Sequence, residues 1–325
     1  MDAYIGIDVS KDTLDVCLMT EGCKDRLRTF PNRKSGYRQL LDWANRYAPN
    51  AAMRFCLEAT GSYSDGIAFF LAEEEQWVSV INPYRAKHHG QSKGPSNKTD
   101  QADARLLADF CRTQNPSLWR PAAPEVRLLT ALSRRLESII DLLGQEENRA
   151  KVPNLQKEIE RSLKITIRQL SKERERIERQ IRDHIRKHPD LKRDRDLLLS
   201  IPGIGETTAW IFLAELPDPA QFESAEAAAA FCGLNPRQFR SGSSVHKKTR
   251  LAKTGNARLR KALYFPALTA ARHNPLVAAF AQRLLLAGKP AMVVLGASMR
   301  KLLMIAYGVL NHRRPFSPSG YIPAA

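Results

Sequence analysis

Two short apolar runs in the first sixty residues each end on an acid: Tyr4-Ile5-Gly6-Ile7-Asp8, and Phe55-Cys56-Leu57-Glu58, with Gly61 close behind the second. Short apolar runs bounded by turn residues read as buried strands. A carboxylate at the C-terminal edge of a strand projects into the crevice where α/β folds place ligands. Further on, Thr99-Asp100-Gln101-Ala102-Asp103 opens a helical stretch that runs to Phe110. Residues three apart share one helix face, so Asp100 and Asp103 point together at one object; Asp100 equally suits a helix cap. Two strand-end acids and two on a helix make an all-oxygen donor set suited to Mg²⁺ or Mn²⁺. A cage of that kind can hold a metal pair about 3.5–4 Å apart, the arrangement that serves phosphoryl transfer. Any one of these acids alone reads as well as a solvated surface charge, and it is the ordered set that points to a site.

The elements around these residues alternate in kind. Residues 4–8, 13–19 and 25–30 pattern as strands separated by Ser10-Lys11-Asp12 and Gly22. A helix near 35–47, a strand at 52–58, a helix at 63–75 and a strand at 77–81 that stops before Pro83 follow. Strands first and then alternation predict a mixed α/β sheet of RNase H type. Residues 84–98, rich in Lys, Gly, Ser and His, read as a mobile loop leading to the acidic helix. Pro116, Pro121 and Pro124 punctuate a linker. From about 126 the chain turns helical and charged. Leu132, Leu136, Ile139 and Leu143 mark one helix; Ile159, Leu163, Ile167, Leu170, Ile177, Ile181 and Ile185 form a narrow seam on another, interrupted by Arg174. Such a seam is buried either in a coiled coil between subunits or in an ordinary bundle within one. The expected organisation is an α/β domain over 1–125, a helical coiled-coil and oligomerisation region over 126–190, and a mostly α-helical domain over 191–325.

The 325 residues include 51 Lys and Arg against 34 Asp and Glu, a formal charge of +17. An excess of this size attracts polyanions and supplies the counterion-release part of nucleic-acid binding. The charge is bunched, once over Arg182, Arg186, Lys187, Lys192, Arg193 and Arg195, and again from Arg237 to Lys261. The five cysteines are scattered without zinc spacing and read as buried thiols in a reducing cytoplasm. No signal peptide is expected at the N-terminus. The apolar stretch Ala291 to Leu310 is broken by Arg300-Lys301 and reads as a core helix, so no membrane partner is expected.

In the third region, Ser200-Ile-Pro-Gly203-Ile-Gly205 followed by a helix from Thr207 to Leu216 resembles a helix-hairpin-helix. Backbone N–H groups at the second helix's start can bind phosphate, and glycines allow close approach; a plain turn between helices is the competing reading. Arg237-Gln-Phe-Arg240-Ser241-Gly-Ser243-Ser244-Val-His246-Lys247-Lys248 is a Ser- and Gly-rich loop set among cations, extended by Arg250 and Lys253. Such loops are common turns, and a serine attacks only when a base or metal activates it.

Together these residues carry a resemblance. Asp8, Glu58 and the Asp100-x-x-Asp103 pair on an opening Ile-Gly-Ile-Asp strand are similar to the RuvC-like domain of the DEDD-type insertion-sequence transposases, a family described as bridge-RNA-guided serine recombinases. The likeness continues through Leu57-Glu-Ala-Thr-Gly-Ser-Tyr63, Val80-Ile-Asn-Pro83, Asn97-Lys-Thr-Asp100, Ser200-Ile-Pro-Gly-Ile-Gly205, Phe231-Cys-Gly-Leu-Asn-Pro236 and Ser241-Gly-Ser-Ser244. It is weakest between about 125 and 195, where helical periodicity replaces distinctive motifs. It implies that Ser241 attacks a DNA phosphodiester and becomes linked to it, with Ser243 and Ser244 as competitors. It also implies Mg²⁺ or Mn²⁺ on the four acids, donor and target duplex DNA and a structured guide (bridge) RNA as partners, and a tetramer on DNA. Phosphate contacts are expected from Gly203, Gly205, Arg237, Arg240, Lys247, Lys248, Arg250 and Lys253, in a cytoplasmic, nucleoid-associated protein.

Three other readings compete. A metal-dependent RuvC-like nuclease or junction resolvase would use the same acids with no covalent protein–DNA link. An actin-like ATPase or sugar kinase also opens on Ile-Gly-Ile-Asp but needs a glycine-rich phosphate loop, which Val9-Ser10-Lys11-Asp12 does not offer. A non-enzymatic RNA-binding protein would account for the charge and leave the acids without a task.

Overall fold

The computed structural model describes residues 2–59, 61–93, 99–216, 218–241 and 245–318, without the side chains of Ser62, 238–241 and 245–249. Two compact units divide the chain at Pro121 and Ala122.

The N-terminal unit is built on a five-stranded sheet: β1 (Asp2–Val9), β2 (Thr13–Thr20), β3 (Arg26–Pro31), β4 (Ala52–Glu58) and β5 (Trp77–Ile81) in the order β3-β2-β1-β4-β5. The β1–β2 and β2–β3 pairs are antiparallel hairpins, whereas β1–β4 and β4–β5 are parallel. The parallel pairs are reached through α1 (Lys34–Tyr47) and α2 (Ser62–Glu73). This is the mixed α/β, RNase H-like sheet that the pattern of elements predicts.

The period of two in a strand sorts its side chains between faces. Ala3, Ile5, Ile7 and Val9, with Phe55 and Leu57, join Leu40 and Trp43 of α1 and Ile67 and Leu71 of α2 in one core. The alternate residues Gly6, Cys17 and Cys56 meet α4 (Asp100–Gln114) on the other face, through Ala104, Leu107, Ala108 and Cys111. Those helix positions recur at three and four, one stripe of an α-helix.

Residues 84–92, expected as part of a loop, belong to the helix α3 (Pro83–Ser92). The Asn82 side chain accepts a hydrogen bond from the Tyr84 N–H at 2.9 Å, and Pro83 occupies the first turn. Asn followed by Pro is a helix start as much as a strand stop, because proline's missing N–H costs nothing there. Of the expected loop, residues 94–98 lie outside the described ones.

The C-terminal unit is mostly helical: α5 (Pro124–Ala150), α6 (Lys157–Lys187), α7 (Pro189–Leu199), α8 (Glu206–Glu215), α9 (Ala225–Phe231), the hairpin β6 (Pro236–Ser241) and β7 (Val245–Leu251), then α10 (Ala257–Ala262), α11 (Tyr264–His273), α12 (Pro275–Leu286) and α13 (Ala291–His312). Leu129, Leu136 and Ile139 of α5 and Ile177, Ile181 and Ile185 of α6 share one core with Trp210, Leu302 and Leu303. The rest of the α6 seam is more open: Ile159 is 49% exposed, and Leu163, Ile167 and Leu170 are half-buried. Helix α13 is, among the described residues, long and apolar enough to span a membrane, but 67% of its apolar window is buried. Leu302, Leu303, Ile305 and Ala306 are wholly covered, and the helix is the centre of the core.

Candidate active site

Sheet register and helix packing together decide where the acids go. Gly6 stands beside Cys56 in the parallel β1–β4 ladder, so Asp8 and Glu58, each two residues on, leave adjacent strands at the same level and on the same face. That face is the one α4 covers. A Cβ on Gly6 would come within 2.1 Å of the Ala104 carbonyl oxygen and 2.2 Å of the Ala108 nitrogen, so the helix lies directly on the bare strand. Asp100 and Asp103 stand one turn ahead of Ala104 and Leu107 respectively and so continue the sheet-facing stripe toward the strand ends that carry Asp8 and Glu58.

Asp100 is not the helix cap. Thr99 takes that position, its hydroxyl accepting from the Ala102 N–H at 3.2 Å, which leaves the Asp100 carboxylate for other work. Asp8, Glu58 and Asp103 are half-buried and Asp100 is exposed. Gly61, at φ +80°, starts α2 just after Glu58 in a backbone conformation that L side chains resist.

The electrostatics register this convergence. Burial pushes the Asp8 carboxyl up, and the like charges of Asp103, Asp100, Asp15 and Glu58 add to it, bringing the pKa to about 6. Asp15 is a fifth acid that was not singled out from the sequence. It pairs with Asp8 across the β1–β2 ladder, is buried, and accepts a 2.6 Å hydrogen bond from Thr29 Oγ1. Counting outward from the Ser10-Lys11-Asp12 turn would have found it.

A second group on α4 also escaped the sequence reading. Buried Asp109 accepts from His89 Nε2 at 2.8 Å, from Arg112 at 2.8 Å, and from Lys93. Burial alone would raise its pKa, but these three hydrogen bonds outweigh that and hold the carboxyl down at about 2. The network ties α3 to α4 on either side of the segment that leads into Asp100.

Among the described residues no three acid, histidine or cysteine side chains stand close enough to enclose a metal ion. The acids are near enough to feel one another's charge without forming a closed cage. Their chemistry suits a hard divalent cation: all oxygen, held on strand ends and a helix's first turn, with mutual repulsion that a cation would relieve.

In the C-terminal unit, Gly203 lies at φ +105° and a Cβ there would meet that of Ala270 at 2.7 Å, so close packing on α11 explains this glycine. Gly205 is the N-cap of α8, with open space where a Cβ would lie and no side-chain cap. Arg237 and Arg250 face each other in the β6–β7 ladder, and both are exposed, as is Lys253. Ser243 and Ser244 lie outside the described residues, as do the side chains of Arg240, Ser241, Lys247 and Lys248.

A transposase family model of the DEDD, IS110 kind matches residues 5–153, and a second, of the transposase IS116/IS110/IS902 family, matches residues 195–282. Pilin gene-inverting proteins of Moraxella lacunata and Moraxella bovis are 33% identical over 315 residues, 96% of this chain and 97% of each relative. The insertion element IS110 uncharacterized 43.6 kDa protein of Streptomyces coelicolor is 25% identical over 194 residues, 60% of this chain and 45% of that protein.

These matches correct one expectation. They place strand chemistry in the DEDD, RuvC-like region, and they support neither a serine recombinase nor a phosphoserine link. Ser241 is therefore withdrawn as a covalent nucleophile. Metal-dependent cleavage without a protein–DNA adduct, the alternative drawn from the same acids, takes its place. A serine hydroxyl needs an activating group, whereas carboxylates gathered on one face offer a metal-assisted route directly.

Proposed function

The chain belongs to the transposase IS116/IS110/IS902 family, and from that premise we propose that Asp8, Glu58, Asp100 and Asp103 form the centre at which it cuts and joins DNA strands. The observation that carries this reading is the seating of α4 on Gly6, which sends both helix acids toward the ends of β1 and β4. Asp8, Glu58, Asp100 and Asp103 would hold a divalent ion, which when bound would supply charge stabilisation to a phosphodiester undergoing cleavage. Asp8, with its pKa at about 6, keeps a proton on its carboxyl in mildly acid solution and must give it up to act as a ligand. The Asp109 network joins α3 to the third turn of α4, the helix whose first turn carries Asp100 and Asp103.

On the helical unit, Arg237, Arg250 and Lys253, with Arg240, Lys247 and Lys248, make the β6–β7 hairpin a cationic ribbon for phosphates. Cations carried on both strands of one hairpin suit the regularly spaced phosphates of a polyanion. The uncapped amides after Gly205 suit a phosphate in the same way. A structured guide RNA and a tetramer on DNA belong to this reading through the resemblance. RNA co-purifying with the protein and a fourfold mass on DNA are the measurements that check them.

The test is Asp103→Asn. Cleavage of duplex DNA in Mg²⁺ should fall by about a hundredfold or more, the cost of losing charge stabilisation at the reacting group, while folding and DNA binding persist. Near-wild-type cutting would remove Asp103 from the site. Denaturing electrophoresis of labelled DNA under cutting conditions should show free product and no protein-linked band.

A further inference from the structure

The first basic bunch of the sequence, between residues 182 and 195, has no part in the site above. On the last turns of α6, Ile177, Ile181 and Ile185 face the core at intervals of four. Arg179, Arg182, Asp183 and Arg186, spaced by three and four, follow one another along a second stripe that is mostly exposed. The chain turns at His188-Pro189, and α7 adds Lys192 and Arg195, again three apart. These six residues line one open cleft of about 380 Å³, five cations against a single acid.

Most of these cations are weakly engaged. Arg186 pairs with Asp183 at 3.0 Å at the surface, and half-buried Arg195 pairs with exposed Asp196 at 2.6 Å. Arg182 reaches Glu178 and Glu206 only at 3.9 Å. Arg179 and Lys192 have no ion pair among the described residues. Exposed pairs contribute between about 0 and 1 kcal/mol, so an incoming phosphate displaces them at little cost. What sets this end of α6 apart from its earlier turns is that cations from two helices, α6 and α7, converge on one cleft.

The cleft also has a neighbour suited to anions. The Arg182 guanidinium lies 5.8 Å from the centre of the Trp210 ring of α8 and near Glu206, the first residue of that helix. It therefore borders the N-terminus that Gly205 leaves without a side-chain cap. From Arg179 to Arg186 the helix rises about 10 Å, a length over which one DNA strand presents about three phosphates.

We propose that this α6–α7 cleft is a seat for the phosphate backbone of duplex DNA, a contact additional to the β6–β7 ribbon. Only the identity of the polyanion rests on the DNA-cutting reading. The cleft is tested on the full chain in EDTA, by anisotropy of a labelled 30-base-pair duplex across a salt series, so that metal binding and cutting play no part. For Arg179→Gln/Lys192→Gln we expect a loss of about tenfold in affinity near 0.1 M salt and a salt slope shallower by about two, roughly 0.9 for each lost phosphate contact. The charge-keeping Arg179→Lys/Lys192→Arg protein should match wild type in both. Unchanged affinity and slope in the neutralised protein would overturn the proposal. So would a loss confined to an RNA hairpin of equal length, which would give the cleft to RNA. If the double variant melts early, Arg179→Gln alone, on an exposed side chain, should still lower the slope by about one, and an unchanged slope there overturns it too. Binding measured in EDTA requires neither a bound metal nor cutting. Failure of the metal centre would therefore leave this result standing, and the reverse.

Discussion

In the N-terminal unit the charges that matter stand on a rigid frame. Asp8 and Glu58 are fixed by ladder register, Asp100 and Asp103 by a helix laid on a bare glycine, and each position follows from contacts that cannot slide. In the C-terminal unit the charges stand on exposed helix faces and a two-stranded hairpin, at the ends of long side chains. The contrast suits two kinds of work. Phosphoryl transfer depends on placing opposing charge to within a fraction of an ångström. Holding a polyanion's backbone depends mainly on how many cations are present and how they are distributed.

The comparison breaks most sharply at Gly6. A side chain there must lift α4 from the sheet, since its Cβ would lie 2.1 Å from the Ala104 carbonyl oxygen. We expect Gly6→Val to destabilise the unit by about 3 kcal/mol and to abolish cutting even where the protein folds. Urea denaturation alongside a cleavage assay checks both. A folded Gly6→Val enzyme with full activity would mean that α4 does not carry the helix acids into place.

Much of the acidic unit was legible because its determinants are local. Alternation along β1 and β4 assigned faces, and Thr99 is a recognisable cap ahead of Asp100 and Asp103. What was missed depends on pairing or on distance. Asp15 needed the hairpin register to be counted, and helix α3 was hidden because Asn82-Pro83 serves as strand end and helix start alike. The Asp109 network joins residues 16 and 20 positions apart, a contact no periodicity reports. In the helical unit spacing marks which faces are buried, but an exposed cationic face has the same spacing whether it meets solvent or phosphate. The role given to Ser241 rested on resemblance and not on any such physical constraint, and it was the reading that had to be corrected.

Asp109→Ala is the next test in size. It leaves half-buried His89 and the half-exposed Lys93 and Arg112 without their shared acceptor, at an expected cost of about 2 kcal/mol. Because the Asp109 pKa is held down at about 2 from an ordinary value near 3.8, its contribution is complete above about pH 4. It is lost as the pH falls toward 2. The variant and wild type should therefore converge in stability on acidification through that interval. Parallel acid titrations followed by circular dichroism would show whether they do.

Asp8 should behave in the opposite sense. Its pKa is raised from 3.8 to about 6, so the folded unit holds a proton that the unfolded chain releases. Stability is then greatest below about pH 4, falls as the pH rises toward 6, and stays low above it. Asp8→Asn removes the decline and should stabilise the metal-free protein at pH 7 by about 1–2 kcal/mol, allowing for partial solvent screening. Mg²⁺ should raise the melting temperature of wild type and not of the variant. A variant no more stable than wild type at pH 7 would show that the acids do not repel one another as their placement requires.

The smallest effect on folding, and the one that most sharpens the comparison, belongs to the hairpin. Arg237→Gln/Arg250→Gln changes two exposed side chains that face each other across β6 and β7. Removing like charges from one rung should alter stability by no more than about 0.5 kcal/mol. If the ribbon holds phosphates, the same change should weaken DNA binding at every sequence tested and reduce the salt slope by about two. If it faces only solvent, neither quantity will move. A loss of cutting without a change in slope would be the instructive failure, since these arginines would then be placing DNA for the reaction and not merely retaining it. The division between a unit that positions and a unit that holds would then have to be redrawn.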